Sequence, residues 1–456
     1  MALPRVVMKF GGTSVGTPRA LETMLRHVTR EERSVLVVVS AVGGVTDLLL
    51  QAAELARGAG DPADPVAEIA RRQWALIEHF GLEPAPIAAQ EAELAQLLQG
   101  IAMLRELSPR VRDRLVSLGE RMSVRLIAAC LRSRGHAARA YDAWELGLQT
   151  DAHFGRAEPL PGCDERIRAA LEAIPSETIP VVNGFIAHSP QGEITTLGRG
   201  GSDFSAAIFG VAAGVEEIQI WTDVPGILRA DPAAVPDAEV VPSMRFEEAA
   251  ELAYFGAKVL HPRTIEPARR CGIPVRVLGT FHVDPDGNRL VSQQGTLIDD
   301  QAPAEPIRGM ALHREVQTLH IHSLRMLEAP GFLARCFEIL ARHSISVDVV
   351  ATSEVSVSMT LDKYEGELDA AIEELSSFAE VELMRDRSLL CLVGSGMRQD
   401  ATLLARIFQV LADNEVPIRV ISQGASRINI TLVTDPPYAV KAMQAIYRER
   451  LRTTAG

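Results

Sequence analysis

The chain has 456 residues, a length that predicts two or three domains, and 47% of its residues are hydrophobic, enough to bury a sizeable core. The formal net charge of -13 excludes the broad basic surface that a nucleic acid or an anionic membrane requires. Five scattered cysteines without CxxC spacing, no signal-peptide pattern and no apolar stretch long enough to span a bilayer predict a cytoplasmic protein with reduced cysteines and no membrane partner.

The first predicted element is a short strand that begins at Val6 and ends in the run Lys9-Phe10-Gly11-Gly12-Thr13-Ser14. Two glycines and two hydroxyl residues after a strand, with a lysine just before them, can bring backbone N–H groups and one cation onto a phosphate. The lysine precedes the glycines, which excludes a Walker A loop. Taken alone, the run also fits an ordinary Gly-Gly turn.

Short apolar runs then alternate with Ala/Leu/Glu-rich stretches. Strands are predicted at Val35–Val39, Ile179–Val182, Ile218–Ile220 and Val275–Val277, and helices at Val66–Phe80, Ile87–Ile101 and Val111–Leu131. Strands that are apolar on both faces and alternate with helices predict a mostly parallel sheet covered on both sides. Glycine-rich or polar loops follow three of the strands, at 11–12, 40–46 and 183–184. Because ligands bind at the carboxyl ends of such strands, these loops predict one shared site.

A second glycine-rich loop runs from Thr196 to Asp203 and enters a predicted helix at Phe204–Ala213. Its glycines allow close backbone approach to a ligand, and Arg199 can hold a carboxylate through two parallel hydrogen bonds. Asp203 stands where a dinucleotide-binding loop has its last glycine, and a carboxylate there would repel a pyrophosphate. Asp203 is therefore either a helix cap or a group that orients phosphate-binding lysines.

Isolated polar residues elsewhere permit two interpretations each. Glu120, in Ser117-Leu118-Gly119-Glu120, is a ligand or a helix-capping residue, and Lys258 is a phosphate contact or a solvated surface lysine. His261 is either a packed or capping residue or a base or metal ligand. No His/Cys/Asp group has zinc spacing, and no Ser–His or Cys–His arrangement indicates a nucleophile.

Beyond a Pro/Ala-rich connector at 302–306, the chain repeats itself. Superimposing Phe332–Asp362 on Leu403–Val433 matches six residues of a helix and continues into the strands that follow. The alternative is chance similarity between two amphipathic helices. Units this small hide their apolar faces poorly, so pairing between the copies or between subunits is expected.

The order and spacing of several motifs resemble the aspartate kinases of the amino-acid kinase superfamily over nearly the whole chain. The motifs are KFGGTSVG at Lys9, SAVGGVTDLL at Ser40, SLGERMS at Ser117, NGFI at Asn183, TTLGRGGSD at Thr195, WTDVPGI at Trp221, FGAKVLHP at Phe255 and SEVSVSMTLD at Ser353. The resemblance implies an α/β amino-acid kinase fold, with a mostly parallel central sheet covered by helices on both faces, at residues 1–300. Two ferredoxin-like βαββαβ ACT domains follow at 301–386 and 387–456, and the leading strand of the first is assignable to either.

The implied reaction transfers the γ-phosphoryl group of MgATP to the side-chain carboxylate of L-aspartate, giving 4-phospho-L-aspartate and ADP, the first step of lysine, threonine and methionine biosynthesis. This agrees with the residues, because a carboxylate is ionised at neutral pH and needs no general base to act as a nucleophile. The reaction instead needs two anions held in line while charge is neutralised. Mg²⁺ would be carried by the ATP phosphates, without a dedicated protein site.

The resemblance also implies the site residues. The implied catalytic residues are Lys9, Asp203 and Lys258. The implied nucleotide-binding residues are Lys9, Gly11, Gly12, Ser14, Thr222, Asp223, Lys258 and Val259. The implied aspartate-binding residues are Ser40, Thr46, Glu120, Arg199, Gly200, Gly201 and Ser202, with Arg199 on the α-carboxylate and Glu120 on the ammonium. In two departures, Leu228 and Ala233 stand where close relatives have a tyrosine and an arginine beside the adenosine.

For the ACT domains, the resemblance implies a monofunctional, lysine-inhibited enzyme, dimeric through these domains and open to tetramer formation. The implied effector residues are Met326, Gly331, Phe332, Leu333, Ser346, Val347, Asp348, Thr352, Ser353 and Glu354. The helix start near Gly331 offers amides to an α-carboxylate, and Asp348 can pair with an ammonium. The alternative is that these residues only pack an interface.

Two other functions stay open. The first is a different kinase of the same superfamily, acting on glutamate, acetylglutamate or carbamate. The pair of Glu120 and Arg199 favours a free amino acid, because an acetylated amine offers no charge to Glu120. The second is a non-catalytic amino-acid sensor that uses only the repeat.

Overall fold

A computed structural model describes residues 3–82, 86–255, 262–282, 294–326, 330–361, 367–424 and 426–454. The described residues form two compact units. The first contains the chain up to Ile227, the short segment Pro242–Phe246 and the residues that lead to Ala302. The second contains Leu228–Val241, the segment that begins at Glu247, and the chain from Pro303 onward.

The strands and helices are numbered in chain order. The strands are β1 Val6–Phe10, β2 Val35–Val39, β3 Ala138–Tyr141, β4 Ile179–Asn183, β5 Ile186–His188, β6 Ile194–Thr196, β7 Glu217–Thr222, β8 Ser243–Met244, β9 Val275–Gly279, β10 Thr296–Ile298, β11 Gly309–His322, β12 Val350–Thr352, β13 Ser356–Leu361, β14 Glu380–Val393, β15 Val420–Ser422 and β16 Asn429–Thr434. The helices are α1 Gly12–Val15, α2 Pro18–Arg30, α3 Val45–Arg57, α4 Ala63–Phe80, α5 Ala88–Leu104, α6 Pro109–Ser133, α7 Cys163–Glu172, α8 Gly201–Ala213, α9 Phe246–Tyr254, α10 Pro262–Arg270, α11 Phe332–Arg342, α12 Leu368–Ser376, α13 Leu403–Asp413 and α14 Pro436–Thr454.

In the first unit, eight of the described strands form a sheet in the order β3-β4-β2-β1-β7-β9-β10-β8, and β5 and β6 form a separate antiparallel pair. Neighbouring strands of the sheet run parallel except β10, which is antiparallel to β9. Every residue of β1 and β2 is buried, because helices cover these central strands, which are apolar except for Lys9. The predicted mostly parallel sheet is confirmed, and the loops after β1, β2 and β4 meet at one edge of it.

The predicted helices of this unit are all present, with ends that differ from the predicted ones by at most three residues. The longest, α6, begins where the hydroxyl of Ser108 accepts a hydrogen bond from the N–H of Val111 and Pro109 occupies the first helical position. It ends at Ser133 and buries one face against the sheet and the neighbouring helices. This helix carries two of the carboxylates described below.

The second unit is built on a six-stranded antiparallel sheet in the order β12-β13-β11-β14-β16-β15. The two copies of the repeat form its two ends, and each places an eleven-residue helix, α11 or α13, before a short antiparallel strand pair. Each copy has its own apolar core. The predicted internal repeat is therefore confirmed as two similar folding units that share the long central strands β11 and β14.

Two segments that precede the connector in sequence belong to the second unit, namely 228–241 and most of α9. A buried ion pair contributes to this packing. Glu248 of α9 lies 3.4 Å from Arg308, and both side chains are almost fully buried. Within the described residues, no helix is long and apolar enough to cross a membrane.

Candidate active site

A cleft of about 560 Å³ opens in the first unit at the carboxyl ends of the parallel strands. Its walls come from the end of β1, the loop after β2, one face of α6 and the loop that leads into α8. The sequence-predicted residues that line it are Lys9, Gly12, Ser40, Thr46, Glu120, Arg199, Gly200, Gly201, Ser202 and Asp203. The structure therefore brings together residues from four separate parts of the sequence.

The floor of the cleft at one end is a pair of glycine turns in close contact. The N–H of Gly43 donates to the carbonyl oxygen of Gly12 at 3.1 Å. A Cβ atom on Gly12 would lie only 2.9 Å from the carbonyl oxygen of Ala41, so a larger residue cannot occupy this position without moving the loop after β2. The two turns expose backbone to the cleft, as a phosphate-binding surface requires.

A buried ion pair lies beside these turns. The Nζ of Lys9 is 2.6 Å from Oδ1 of Asp203, and the two side chains are 11% and 15% exposed. Asp203 occupies the first turn of α8, whose N-terminal cap is Gly200 with φ +72°, so Asp203 is not the cap residue. The carboxylate fixes the position of the lysine while leaving its cation at the cleft wall.

Hydrogen bonds behind the first turn hold it in place. The hydroxyl of Ser14 is fully buried and lies 2.7 Å from that of Thr280, and His27 contacts the carbonyl oxygen of Thr280 at 3.1 Å. The N–H of Gly11 donates to Trp221, the residue before Thr222 at the end of β7. The hydroxyl of Ser14 thus supports the loop from inside the fold, and a contact between Ser14 and a nucleotide stays a prediction.

Thr222 and Asp223 stand at the end of β7, next to the end of β1. The hydroxyl of Thr222 donates to Asp223 at 3.0 Å, and the N–H of Thr280 donates to the carbonyl oxygen of Thr222 at 2.8 Å. The structure places both residues at the predicted edge of the sheet. Lys258 and Val259 lie outside the described residues, and Leu228 and Ala233 belong to the second unit.

Glu120 projects from the middle of α6 into the cleft, so the capping interpretation of this residue is wrong. Its helix can approach the loop after β2 because residue 119 is glycine: a Cβ there would lie 2.8 Å from the Cβ of Ala41. Oε1 of Glu120 accepts a hydrogen bond from the N–H of Ala41 at 3.2 Å, while Oε2 has no hydrogen-bond partner within the described part of the chain. Burial raises the pKa of Glu120 to about 8.

An unpaired, buried carboxylate oxygen of this kind is costly unless a ligand satisfies it. An ammonium group placed against Oε2 would supply the missing hydrogen bond and restore the ionised form of Glu120. Arg199 lines the same cleft, is exposed, and has no ion-pair partner among the residues described. Together the two side chains offer one anionic and one cationic group to a zwitterion.

The sequence analysis missed Asp113, which positions the loop that carries Arg199. Asp113 is 3% exposed, and its carboxylate accepts hydrogen bonds from the N–H of Thr196 and the N–H of Gly155, each at 2.8 Å, and from the hydroxyl of Thr196 at 3.0 Å. Burial raises the pKa of Asp113, and these hydrogen bonds oppose the rise. The available signal was its spacing, because Asp113 precedes Glu120 by two helical turns and so shares its face of α6.

Two further charged residues that the sequence did not single out line the cleft, Asp47 of α3 and Arg112 of α6. Both are exposed. Arg112 gives the cleft a second guanidinium, adjacent in sequence to Asp113.

The predicted effector residues are all in the second unit, around the first copy of the repeat. Gly331, with φ +90°, caps the N-terminus of α11, and the ring of Phe332 packs edge-on against Phe378 with 5.6 Å between centroids. Leu333 is 37% exposed, and Met326 lies in a short 3-10 turn before the helix. The structure thus places these four residues at the start of one helix.

The remaining effector residues lie on the strand pair that follows. Ser346 and Val347 lead toward β12, and Thr352 is its last residue. Ser353 and Glu354 lie in the exposed turn between β12 and β13, where the hydroxyls of Ser353 and Ser356 are 2.7 Å apart. Asp348 also has a contact outside the repeat, because the hydroxyl of Tyr254 in α9 donates to its Oδ1 at 2.8 Å. The ligand-binding role of the whole set stays a prediction.

Comparison with known proteins places the chain among enzymes. It matches the amino acid kinase family over residues 4–279 and an ACT domain over residues 390–449. It is 40% identical over 457 residues to aspartokinase 3, chloroplastic, of Arabidopsis thaliana, covering 97% of this chain and 80% of that protein. It is 38% identical over 457 residues to lysine-sensitive aspartokinase 3 of Escherichia coli strain K12, covering 97% of this chain and 98% of that protein.

Solved structures of an aspartokinase are also similar to this chain. The crystal structure of E. coli aspartokinase III in complex with aspartate and ADP, described as the R-state, has a TM-score of 0.79 and 37% sequence identity, covering 97% of this chain and 99% of that one. The structure of the same protein in complex with lysine and aspartate, the T-state, has a TM-score of 0.77 and 36% identity with the same coverage.

Proposed function

The chain belongs to the aspartokinases of the amino acid kinase family, and on this premise we propose that its cleft transfers the γ-phosphoryl group of ATP to the side-chain carboxylate of L-aspartate. The observation that carries the proposal is that one cleft holds both halves of the required chemistry. The Lys9–Asp203 pair and the glycine turns suit phosphates, while Glu120 and Arg199 suit a free amino acid. The products are 4-phospho-L-aspartate and ADP.

The transfer requires no proton movement. An oxygen of the aspartate side-chain carboxylate forms a bond to the γ-phosphorus, and the bond from that phosphorus to the bridging oxygen breaks, so that the electron pair leaves with ADP. Because the attacking carboxylate is already ionised at neutral pH, the cleft needs no general base. Its residues instead hold two anions together and neutralise the charge on the transferring group.

At the phosphate end, Lys9 supplies a cation whose position Asp203 fixes, and Gly12 lines the cleft with its backbone. Lys258 is the proposed second cation. Among the described residues, no three His, Cys, Asp or Glu side chains are grouped as metal ligands. We assign Mg²⁺ to the ATP phosphates, where it would neutralise charge on the γ-phosphoryl group.

At the aspartate end, Arg199 binds the α-carboxylate and Glu120 binds the ammonium through the oxygen that has no partner among the described residues. Ser40, Thr46 and Ser202 line the cleft between these groups and supply hydroxyls. This assignment favours a free amino acid over an acetylated one, because only a charged ammonium would offset the free-energy cost of burying the Glu120 carboxylate.

We also propose that L-lysine binds at the start of α11 and inhibits the kinase. The amides after Gly331 would take the lysine α-carboxylate, Asp348 would take an ammonium, and Met326 would line the aliphatic chain. The lysine-bound T-state relative supports this assignment. Inhibition requires that lysine bind the inactive arrangement more tightly than the active one.

We further propose that the chain is a dimer through its ACT domains. Leu333 and Phe337 project from α11 with 37% of each side chain exposed, and Ile421 on the edge strand β15 is 48% exposed. Exposed apolar side chains on a helix and on an edge strand are typical of a surface that a second subunit covers.

The proposal is tested by measuring ADP release from MgATP by the purified protein with L-aspartate, L-glutamate, N-acetylglutamate or carbamate, each with and without L-lysine or L-threonine. We expect turnover with aspartate, suppressed by lysine. Turnover only with another acid would assign the chain to a different kinase of the amino acid kinase family. Suppression by threonine alone would reassign the effector, and no turnover with any acid would favour a sensor.

A further inference from the structure

A strained turn joins β4 to β5 at the wall of the cleft. The N–H of Ile186 donates to the carbonyl oxygen of Gly184 at 2.8 Å, and the residue between them, Phe185, has a φ of +69°. A three-residue turn with a positive φ at its centre is the rare form of the γ-turn, in which a residue with a Cβ atom is strained. Of the non-glycine residues with positive φ in the described part of the chain, Phe185 is the one that lines the cleft.

Hydrogen bonds to neighbouring segments hold the backbone of this turn. The N–H of Gly184 donates to the carbonyl oxygen of Val39 at 2.9 Å, at the end of β2. The N–H of Phe185 donates to the hydroxyl of Ser205 in α8 at 3.0 Å, and that hydroxyl donates in turn to the carbonyl oxygen of Gly201 at 2.9 Å. Because strain of this kind persists only where the surroundings over-determine it, these contacts impose the turn on Phe185.

The turn also contacts the loop that carries Arg199, on both sides of that residue. Two residues before Arg199, the N–H of Leu197 donates to the carbonyl oxygen of Phe185 at 2.8 Å. Two residues after Arg199, a Cβ atom on Gly201 would lie only 2.7 Å from Cδ2 of Phe185, so the ring packs directly on the backbone there. Arg199 therefore lies between two points that Phe185 fixes, in a loop whose glycines would otherwise give the backbone wide freedom.

We infer that Phe185 is a positioning residue of the aspartate end of the cleft, and that it acts by holding Arg199 where the α-carboxylate of the substrate binds. This inference rests on the proposed function of Arg199. A bidentate contact between a guanidinium and a carboxylate depends on direction as well as on distance, so a loop that can shift loses much of it. The strained conformation of Phe185 thus gives the loop a fixed geometry at the expense of stability.

The test compares Phe185→Gly with Phe185→Ala in the full-length protein. Both substitutions remove the ring, but glycine adopts a positive φ without strain and alanine does not. The matched control is Arg105→Gly, which removes a large side chain at another positive φ, +52°, at the exposed C-terminal cap of α5 outside the cleft. For each protein, thermal unfolding and the KM values for aspartate and for ATP are measured, and Phe185→Gly is also combined with Arg199→Ala.

We expect Phe185→Gly to unfold at a higher temperature than Phe185→Ala, because only the glycine variant relieves the strain. Both should raise the KM for aspartate about tenfold and leave the KM for ATP within about twofold, because the loop that carries Arg199 can then shift. In the Arg199→Ala background, Phe185→Gly should lower kcat/KM for aspartate by no more than about twofold further, since it acts through Arg199. Arg105→Gly should leave both KM values unchanged.

Equal changes in the two KM values, or losses that add fully in the double variant, would overturn the action of Phe185 through Arg199. An unfolding temperature of Phe185→Gly no higher than that of Phe185→Ala would overturn the strained turn. Failure of the unsubstituted protein to turn over aspartate would instead overturn the proposed function, and the positioning role with it.

Discussion

The Nζ of Lys9 lies 2.6 Å from Oδ1 of Asp203, although β1 and α8 are almost 200 residues apart in sequence. The pair is largely buried, so removing either partner leaves an uncompensated charge at the phosphate end of the cleft. The carboxylate also competes with phosphate for the lysine, which keeps the cation in place without saturating its three N–H donors.

We predict that Lys9→Met lowers kcat by about 10²- to 10³-fold, as loss of one preorganised electrostatic contact to a transition state does. Asp203→Asn should reduce kcat less, because the lysine stays charged but loses its orientation. The double variant should be little worse than Lys9→Met alone, since the two residues act as a unit. Fully additive losses in steady-state assays would contradict the shared role.

For Arg199, we predict that Arg199→Lys raises the KM for aspartate about 30- to 100-fold while the KM for ATP changes little, because an ammonium cannot reproduce a bidentate contact with a carboxylate. The control is Arg114→Lys, a surface arginine that pairs with Glu93 outside the cleft. An equal rise in both KM values would argue that Arg199 acts on the nucleotide.

Glu120 should make aspartate binding depend on pH. Burial raises the pKa of its carboxyl to about 8 in the empty cleft, so at pH 7 the protonated form predominates, whereas a substrate ammonium binds the ionised form. The value of kcat/KM for aspartate should therefore rise with pH, about tenfold per unit well below pH 8, and level off above it.

The isosteric variant Glu120→Gln isolates this effect, because the amide oxygen can still accept from the N–H of Ala41. We expect it to show a lower kcat/KM for aspartate with no rise between pH 6 and 8. A rise of normal steepness in Glu120→Gln would assign the titration to another group.

Asp113 should affect the binding of aspartate and not the binding of ATP. We predict that Asp113→Ala raises the KM for aspartate at least tenfold and leaves the KM for ATP within about twofold, because the loop that carries Arg199 loses three hydrogen bonds. Asp113→Asn keeps an acceptor oxygen, so its KM for aspartate should lie between that of the unsubstituted protein and that of Asp113→Ala. Thermal unfolding of the same variants, beside the surface control Asp164→Ala, separates this effect from loss of stability; equal changes in both KM values would indicate general damage.

Much of this arrangement could be predicted because it follows from local patterns. The chain places glycines, hydroxyls and a lysine directly after apolar strands, and parallel neighbours bring such loops to one edge of a sheet. The predicted amino-acid kinase fold followed by ACT domains is confirmed by the topology and by the relatives. The internal repeat could be predicted because its two copies have matching residues along the helix and into the strands that follow.

What could not be predicted depends on contacts between distant segments. The three hydrogen bonds of Asp113 join α6 to residues 42 and 83 positions away, and no local pattern specifies them. The contact between Tyr254 and Asp348 spans 94 residues. The segment 228–241 precedes the connector, yet it packs with the second unit, because its apolar residues Ala230, Ala234 and Val235 complete the core beneath α14.

The measurement that tests the central claim most directly is trapping of the product. The protein is incubated with MgATP, L-aspartate and hydroxylamine, which converts an acyl phosphate to a hydroxamate, and the hydroxamate is compared with the ADP released. The account predicts β-aspartyl hydroxamate in an amount equal to ADP, and neither product above background from Lys9→Met on the same timescale. ADP release without hydroxamate, or hydroxamate formed only from another acid, would contradict transfer to the aspartate side chain.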